Sequence, residues 1–279
     1  MVGKVSKKTV GIIGGNGKMG KQFGRMFKGL GFDVVVADVG TKMTNKQLIK
    51  QTDIVIFSVP LHVSEKVIKK EIKHCVRKDQ IVMDISSLKE KQMKVMNGAG
   101  GSCIGLHPLF GPAQKNLSNL TMIMCKGKCD QKSFDYMKNL FKKLGLKIVE
   151  MTPKEHDKTM ALIQVIPHLK TILSGELIKF LGMKPAKLYE IGTPIYKVEL
   201  SIIGRIFSQD GDLYAAIISE NPYSRKIVKQ LSVLVKNYSV LMKRGDIATL
   251  TKRFNAVKKF LGGFTEKAFE DSEKIIGNL

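Results

Sequence analysis

Residues 8–38 read KTVGIIGGNGKMGKQFGRMFKGLGFDVVVAD, and this stretch decides the fold. Lys8 to Ile13 is a short apolar, β-branched run, the pattern of a buried strand. Glycines follow it. Phe23, Met26, Phe27 and Leu30 then recur at helical spacing until Gly31, and Asp33 to Ala37 reads as a second strand ending at Asp38. Strand, glycine turn, helix, strand and acid is the order of a dinucleotide-binding βαβ unit. Within it Gly15-Asn16-Gly17-Lys18-Met19-Gly20 is a complete G-x-G-x-x-G. Gly15 permits the tight turn, Gly17 lets a pyrophosphate approach the N–H groups of the helix start, and Gly20 lets helix and sheet pack closely. Asp38 is placed to accept hydrogen bonds from ribose hydroxyls. Its charge repels a 2′-phosphate, so NAD is expected over NADP, with Lys42 near enough to soften the preference.

Outward from this unit, strands are expected at Ile54 to Val59, Ile81 to Ile85, Ser102 to Gly105, Thr121 to Cys125 and Leu146 to Glu150. Helical patterns alternate with them, and Ser86 to Lys89 reads as the opening of one. The alternation predicts an α/β fold with a Rossmann-type, doubly wound parallel sheet. At Thr152 the texture changes. Thr152-Pro153-Lys154-Glu155 has the form of a capping box with proline at the first helical position. Helical stripes follow: Met160, Leu162, Ile163, Ile166 and Leu169; then Leu200, Ile203, Ile206 and Phe207; then Ile227, Leu231, Leu234 and Tyr238. The expected organisation is a dinucleotide-binding domain over 1–151 and an all-helical domain over 152–279.

The 279 residues are 43% hydrophobic and 25% charged, which suits one or two globular domains and is too apolar for disorder. No unbroken apolar run approaches the roughly 20 residues of a membrane span. The basic start, Met1 to Lys8, lacks the apolar core and cleavage site of a secretory signal. A cytoplasmic protein without a membrane partner is expected. The formal charge is +23. Such a balance raises nucleic acid as a partner. Its distribution opposes that: residues 1–150 hold 27 basic and 11 acidic side chains, 151–279 hold 20 and 13, and no basic run exceeds two. No nucleic-acid partner is expected, and the charge serves instead to draw in small anions. Cys75, Cys103, Cys125 and Cys129 form no CxxC pair, so packed thiols and no metal site are expected.

Two glycines and two prolines frame one histidine in Gly105-Leu106-His107-Pro108-Leu109-Phe110-Gly111-Pro112, just past an expected strand end. Ligands of open α/β sheets bind beyond the carboxyl ends of strands. A neutral His107 there could accept a hydroxyl proton as hydride leaves the same carbon. The hydroxyls of Ser86 and Ser87 either cap a helix, or Ser87 hydrogen-bonds the reacting hydroxyl or the imidazole. Asp157 and His168, 11 residues apart, fall on one helical face, with a local kink expected at Pro167. His62, His74 and His156 have no comparable framing and receive no role. Arg205 stands among Ile202, Ile203, Ile206 and Phe207, which implies partial burial and an anionic partner, either a protein carboxylate or a substrate carboxylate.

These motifs resemble the prephenate dehydrogenase family, and most closely the dehydrogenase half of the bifunctional chorismate mutase/prephenate dehydrogenase, the T-protein. The resemblance is carried by GGNGKMG, SVPLHVSEKVI (Ser58 to Ile68), DISSLK (Asp84 to Lys89), GLHPLFGP, EHDKTMALIQVIPH (Glu155 to His168) and TPIYKVELSIIGRIFSQDGDLYAAII (Thr193 to Ile218). It implies oxidation of prephenate at its ring carbinol, hydride passing to NAD, loss of carbon dioxide and formation of 4-hydroxyphenylpyruvate for tyrosine biosynthesis. It further implies that His107 accepts the hydroxyl proton, Ser87 orients that hydroxyl and Arg205 clamps a carboxylate. Lys197, His168, Gln209 and Tyr214 would line the same pocket, and Ser58, Val59 and Pro60 would join the glycine loop at the cofactor. Homodimers joined through the helical domain are expected. About eight residues precede the first strand, so a monofunctional chain without a mutase segment is expected. Lys197 and Pro167 stand where relatives carry arginine, which leaves arogenate dehydrogenase as the alternative. A different β-hydroxyacid-type dehydrogenase on the same plan is the other.

Overall fold

The computed structural model describes residues 8–72 and 76–277; His74, Cys75 and the basic start through Lys7 lie outside the described residues. The chain divides into two compact units, Met1–Met160 with Ser219–Asn221, and Ala161–Ile218 with Pro222–Leu279.

The first unit runs β1 (Thr9–Ile13), α1 (Lys18–Gly29), β2 (Asp33–Ala37), α2 (Asn45–Gln51), β3 (Ile54–Phe57), α3 (Leu61–Ile72), β4 (Ile81–Asp84), α4 (Glu90–Met96), β5 (Ser102–Pro108), β6 (Thr121–Lys126), α5 (Gln131–Lys143), β7 (Lys147–Glu150) and α6 (Pro153–Met160). The seven strands form one sheet in the order β2-β1-β3-β4-β5-β6-β7. The central strands are apolar throughout because both faces are covered. Ile54 and Ile56 of β3 point into one core with Val10, Phe23, Phe27, Met83 and Leu106. Val55 and Phe57 point into the other with Ile13, Leu48, Ile68 and Met93. The chain leaves β1 to build β2 on one side and β3 on the other, so the carboxyl ends of β1 and β3 flank the crevice where such sheets take ligands.

The sheet departs from the expected all-parallel form at one place. β6 runs antiparallel to β5, while β7 is parallel to β6. The pairing continues past Gly105 through Leu106, His107 and Pro108, with His107 opposite Ile123. His107 is therefore a residue of the strand itself, not of the loop after it. The helix expected to open at Ser86 begins at Glu90 instead.

The second unit is helical: a π-helical turn (Ala161–Val165), α7 (Ile166–Phe180), α8 (Pro185–Ile191), α9 (Pro194–Phe207), α10 (Gly211–Glu220), α11 (Ser224–Arg244), α12 (Ile247–Leu261) and α13 (Phe264–Ile276). The capping box at Thr152 forms as read: Glu155 accepts from the Thr152 N–H at 2.9 Å, and the Glu155 N–H donates to the Thr152 hydroxyl at 3.2 Å. The π turn absorbs Pro167, whose ring would otherwise collide with the preceding turn. It also changes the spacing between Asp157 and His168, which lie on either side of it and belong to different units. Pro153–Phe180 is one helical stretch whose best 18-residue window has mean hydropathy 1.2, long and apolar enough by composition to cross a bilayer. Gln164, His168 and Lys170 interrupt its apolar runs, which is why no span is evident from runs alone.

Candidate active site

At the carboxyl end of β1 the chain turns through Gly14, whose φ of +77° is a conformation that a side chain disfavours. A Cβ on Gly14 would also lie 2.3 Å from the Ser58 carbonyl. The turn thus sits directly against Ser58 and Val59 after β3. Gly20 lies in the first turn of α1, where a Cβ would come within 2.5 Å of the Gly14 carbonyl. The third glycine therefore lets the helix start close on the loop. Gly17 caps α1 without any side-chain hydrogen bond to the first-turn amides. Those amides are left pointing at the crevice, the arrangement that holds a phosphate. Asp38, at the end of β2, braces the loop: one carboxylate oxygen accepts from the Asn16 N–H at 2.8 Å and the other from the Val39 N–H at 2.8 Å. Each oxygen keeps a lone pair for a ribose hydroxyl. Asn16 and Lys18 are exposed and Met19 half-buried on the same loop. Gly15, Asn16, Gly17, Lys18, Met19, Gly20, Asp38, Ser58, Val59 and Pro60 are so brought to one place, and their chemistry fits a dinucleotide.

His107 is buried near the end of β5, at 3% exposure. Its Nδ1 meets Nε2 of His156 at 2.8 Å, and Nδ1 of His156 meets Asp157 at 2.7 Å. His156, to which the sequence reading gave no role, is thus the middle member of a buried chain from His107 to Asp157. Its signal was the neighbouring acid in Glu155-His156-Asp157, at the start of a helix; its partner lies 49 residues away on strand β5. Asp157 also accepts from the backbone N–H groups of Lys89 (2.8 Å) and Glu90 (2.9 Å). The start of α4 is thus capped by a carboxylate from α6, not by the serines. Ser86 turns to Asp84 instead, and the buried Lys89 ammonium pairs with Asp84 at 2.6 Å. Ser87 is half-buried and makes no hydrogen bond among the described residues. Of the two roles open to Ser87, capping is excluded.

Burial, the neighbouring His156 and the Lys89 charge hold the His107 imidazole well below the ordinary histidine range. Burial also lowers His156, against the pull of Asp157. His168 is lowered by burial alone. Such groups bind fewer protons folded than unfolded, so stability rises with pH and is lost as pH falls below the ordinary value of 6.5. Unfolding free energy from urea titrations should decline on acidification below 6.5 by up to about 1.4 kcal/mol per pH unit for each such histidine. Carboxylates add to the decline only below about pH 5. A flat profile between those limits would contradict neutral burial.

In the helical unit the rings of His168 and Tyr214 meet edge to face, with centroids 4.8 Å apart. Nδ1 of His168 and Oε1 of Gln164, one helical turn apart, are buried without a hydrogen-bond partner among the described residues. Burial pushes the Tyr214 phenol up, and the nearby Arg205 guanidinium pulls it partly back. His168, Tyr214 and Arg205 therefore form one cluster. Arg205 itself is exposed, contrary to the expected partial burial, because Ile202 and Phe207 beside it face solvent and α9 buries only Leu200 and Ile203. Nearby acids are engaged elsewhere: Glu199 pairs with Lys170 at 2.7 Å, and Asp210 accepts from the Asp212 N–H. Lys197 lies over the Tyr189 ring, 5.4 Å from its centroid. The Gln209 amide donates to the Arg205 carbonyl at the end of α9.

Comparison with known proteins bears on both units. The family model described as prephenate dehydrogenase, nucleotide-binding domain, matches residues 32–150, and prephenate dehydrogenase, dimerization domain, matches 152–256. The glycine turn precedes the first match and stands on its own geometry. A probable arogenate/prephenate dehydrogenase of Methanocaldococcus jannaschii is 32% identical over 96% of this chain, and a T-protein of Enterobacter agglomerans is 28% identical over 96%. The chain spans 64% and 72% of their respective lengths. A crystal structure of prephenate dehydrogenase from A. aeolicus, in complex with hydroxyphenyl propionate and NAD+, shares the fold at TM-score 0.70 and 20% identity, over 91% of this chain and 97% of that one. With two domain models of one family matching in succession across most of its length, the chain belongs to the prephenate dehydrogenase family.

Proposed function

We propose that this chain catalyses the NAD-dependent oxidative decarboxylation of prephenate to 4-hydroxyphenylpyruvate. The observation that carries the reading is a buried imidazole, His107, held neutral at the carboxyl end of a strand in a dinucleotide-binding sheet. NAD, when bound, supplies the hydride acceptor. Every other task falls to the protein. Nε2 of His107 takes the proton of the ring hydroxyl as that carbon gives up hydride, and Ser87, without a hydrogen bond among the described residues, orients the hydroxyl. The carbonyl so formed draws in the electron pair of the ring-to-carboxylate bond as carbon dioxide departs. The same oxygen, now phenolic, recovers the proton from His107, so no net proton is released. Arg205 pairs with a substrate carboxylate, and His168 and Tyr214 beside it supply polar contacts. Lys197 and Gln209 are proposed to contribute more weakly, since each already has a partner in the chain.

The exposed apolar faces of the helical unit support a homodimer. α7, α8, α12 and α13 have no fully buried residue, and Phe180 and Phe260 are 85% and 87% exposed. Exposed apolar faces on several helices mark a surface that takes a partner.

Arogenate is the second reading, favoured by the double name of the M. jannaschii relative. Initial rates with prephenate and arogenate, each with NAD and NADP, decide between them. Faster turnover of arogenate would overturn the substrate assignment, and oxidation of neither would overturn the function. The cofactor assignment has its own test. Asp38→Ala should weaken NAD binding by about 10-fold, the effect of losing charge-assisted hydrogen bonds, and narrow the preference over NADP. Isothermal titration with both cofactors measures it, and an unchanged NAD affinity would remove Asp38 from the site.

A further inference from the structure

We infer that His156 is a positioning residue, whose hydrogen bonds to Asp157 and His107 fix the tautomer of His107 so that Nε2 is the bare, proton-accepting nitrogen. The inference rests on His107 as the base and extends it to a residue that touches neither substrate nor cofactor.

The chain of donors leaves one solution. Asp157 as a carboxylate only accepts. It already takes the N–H groups of Lys89 and Glu90, so the 2.7 Å contact with Nδ1 of His156 requires a proton on that nitrogen. A neutral His156 then has a bare Nε2, which must accept across the 2.8 Å contact. The donor there is Nδ1–H of His107. A neutral His107 with its proton on Nδ1 presents an unprotonated Nε2, and that nitrogen has no hydrogen bond among the described residues. Had Asp157 faced His107 directly, the same tautomer would follow. Here a second imidazole is interposed, and the carboxylate charge is kept one ring away from the base.

The surroundings hold this arrangement. Both His156 and Asp157 are buried. Asn221 donates to the Asp157 carbonyl at 2.8 Å and so pins the residue's backbone. The other ionisable groups facing the pair are Lys89 and Asp84, which neutralise one another at 2.6 Å, with Glu155 and Cys125 farther out. Cys125 is pushed up to about 12 by burial and stays a thiol. Lys89 packs on the strand that carries the base: a Cβ at Gly105 would lie 2.8 Å from its Cδ.

The wild-type tautomer can be read by nitrogen-15 NMR of the full chain labelled at histidine, with His107 assigned from the signals missing in His107→Asn. The expected result is a proton on Nδ1 and a bare Nε2 for both His107 and His156. A protonated Nε2 on His107 would overturn the inference. Two variants add a kinetic reading. His156→Leu, which cannot accept, should lower kcat by about 10²-fold or more while KM and NAD affinity stay within a few-fold. His156→Gln, which can accept from His107 and donate toward Asp157, should recover most of that loss. Equal kcat values in the Leu variant and the wild type would overturn the positioning role. Should the Leu variant not fold, the wild-type spectrum still decides. The spectrum needs no substrate, so a chain that oxidises neither prephenate nor arogenate would refute the enzymatic reading without touching the tautomer.

Discussion

Replacing His107 by asparagine is expected to lower kcat with prephenate by about 10²- to 10⁴-fold, the range of a lost general base. The substitution suits the site. Asparagine is smaller than histidine, and its amide can donate to Nε2 of His156 as Nδ1–H of His107 does at 2.8 Å. The strand pairing opposite Ile123 involves only backbone and is kept. The loss should therefore appear in turnover, not in folding or NAD binding. Steady-state kinetics beside a melting curve and a cofactor titration measure all three. If turnover stays within a few-fold of wild type, the imidazole is not the base, and a dehydrogenase of another kind on this fold becomes the better reading.

The second large effect is expected at Arg205. Arg205→Gln should raise KM for prephenate by about 10- to 100-fold with little change in NAD affinity, as befits a hydrogen-bonded charge removed from a carboxylate. The exposed guanidinium makes this a clean test. Its acidic neighbours are taken, Glu199 by Lys170 and Asp210 by a backbone amide, so no ion pair among the described residues is broken. Stability should move by less than about 0.5 kcal/mol, the usual range for an exposed substitution. An unchanged KM would remove Arg205 from the substrate site and leave its cluster with Tyr214 and His168 without a role.

The first unit was legible because local signals agreed there. A buried strand, three glycines, a helical apolar stripe and a terminal acid each point to one supersecondary unit, and the contacts that build it are close in sequence. The direction of β6 was not legible, since an apolar β-branched run carries no sign of which way it pairs. The full length of β5 was hidden by histidine and proline, residues that rarely announce a strand. His156 was passed over because its meaning depends on β5 and on the amide of Lys89, 67 residues before it. At Arg205 the error was of another kind. Apolar periodicity marks a face that seeks cover but not the surface that covers it. In the helical unit much of that face is exposed, as the 57% exposure of Phe207 shows. The phase slip at Ala161–Val165 escaped notice for a similar reason, because a π turn keeps the composition of a helix while changing its spacing.

Oxidation of prephenate labelled with deuterium at the ring carbinol carbon, followed by mass analysis of the cofactor and the released gas, bears most directly on the proposed chemistry. One deuterium in the reduced NAD for each carbon dioxide released is the expected result. Carbon dioxide without deuterium in the cofactor, or no reaction at all, would contradict it.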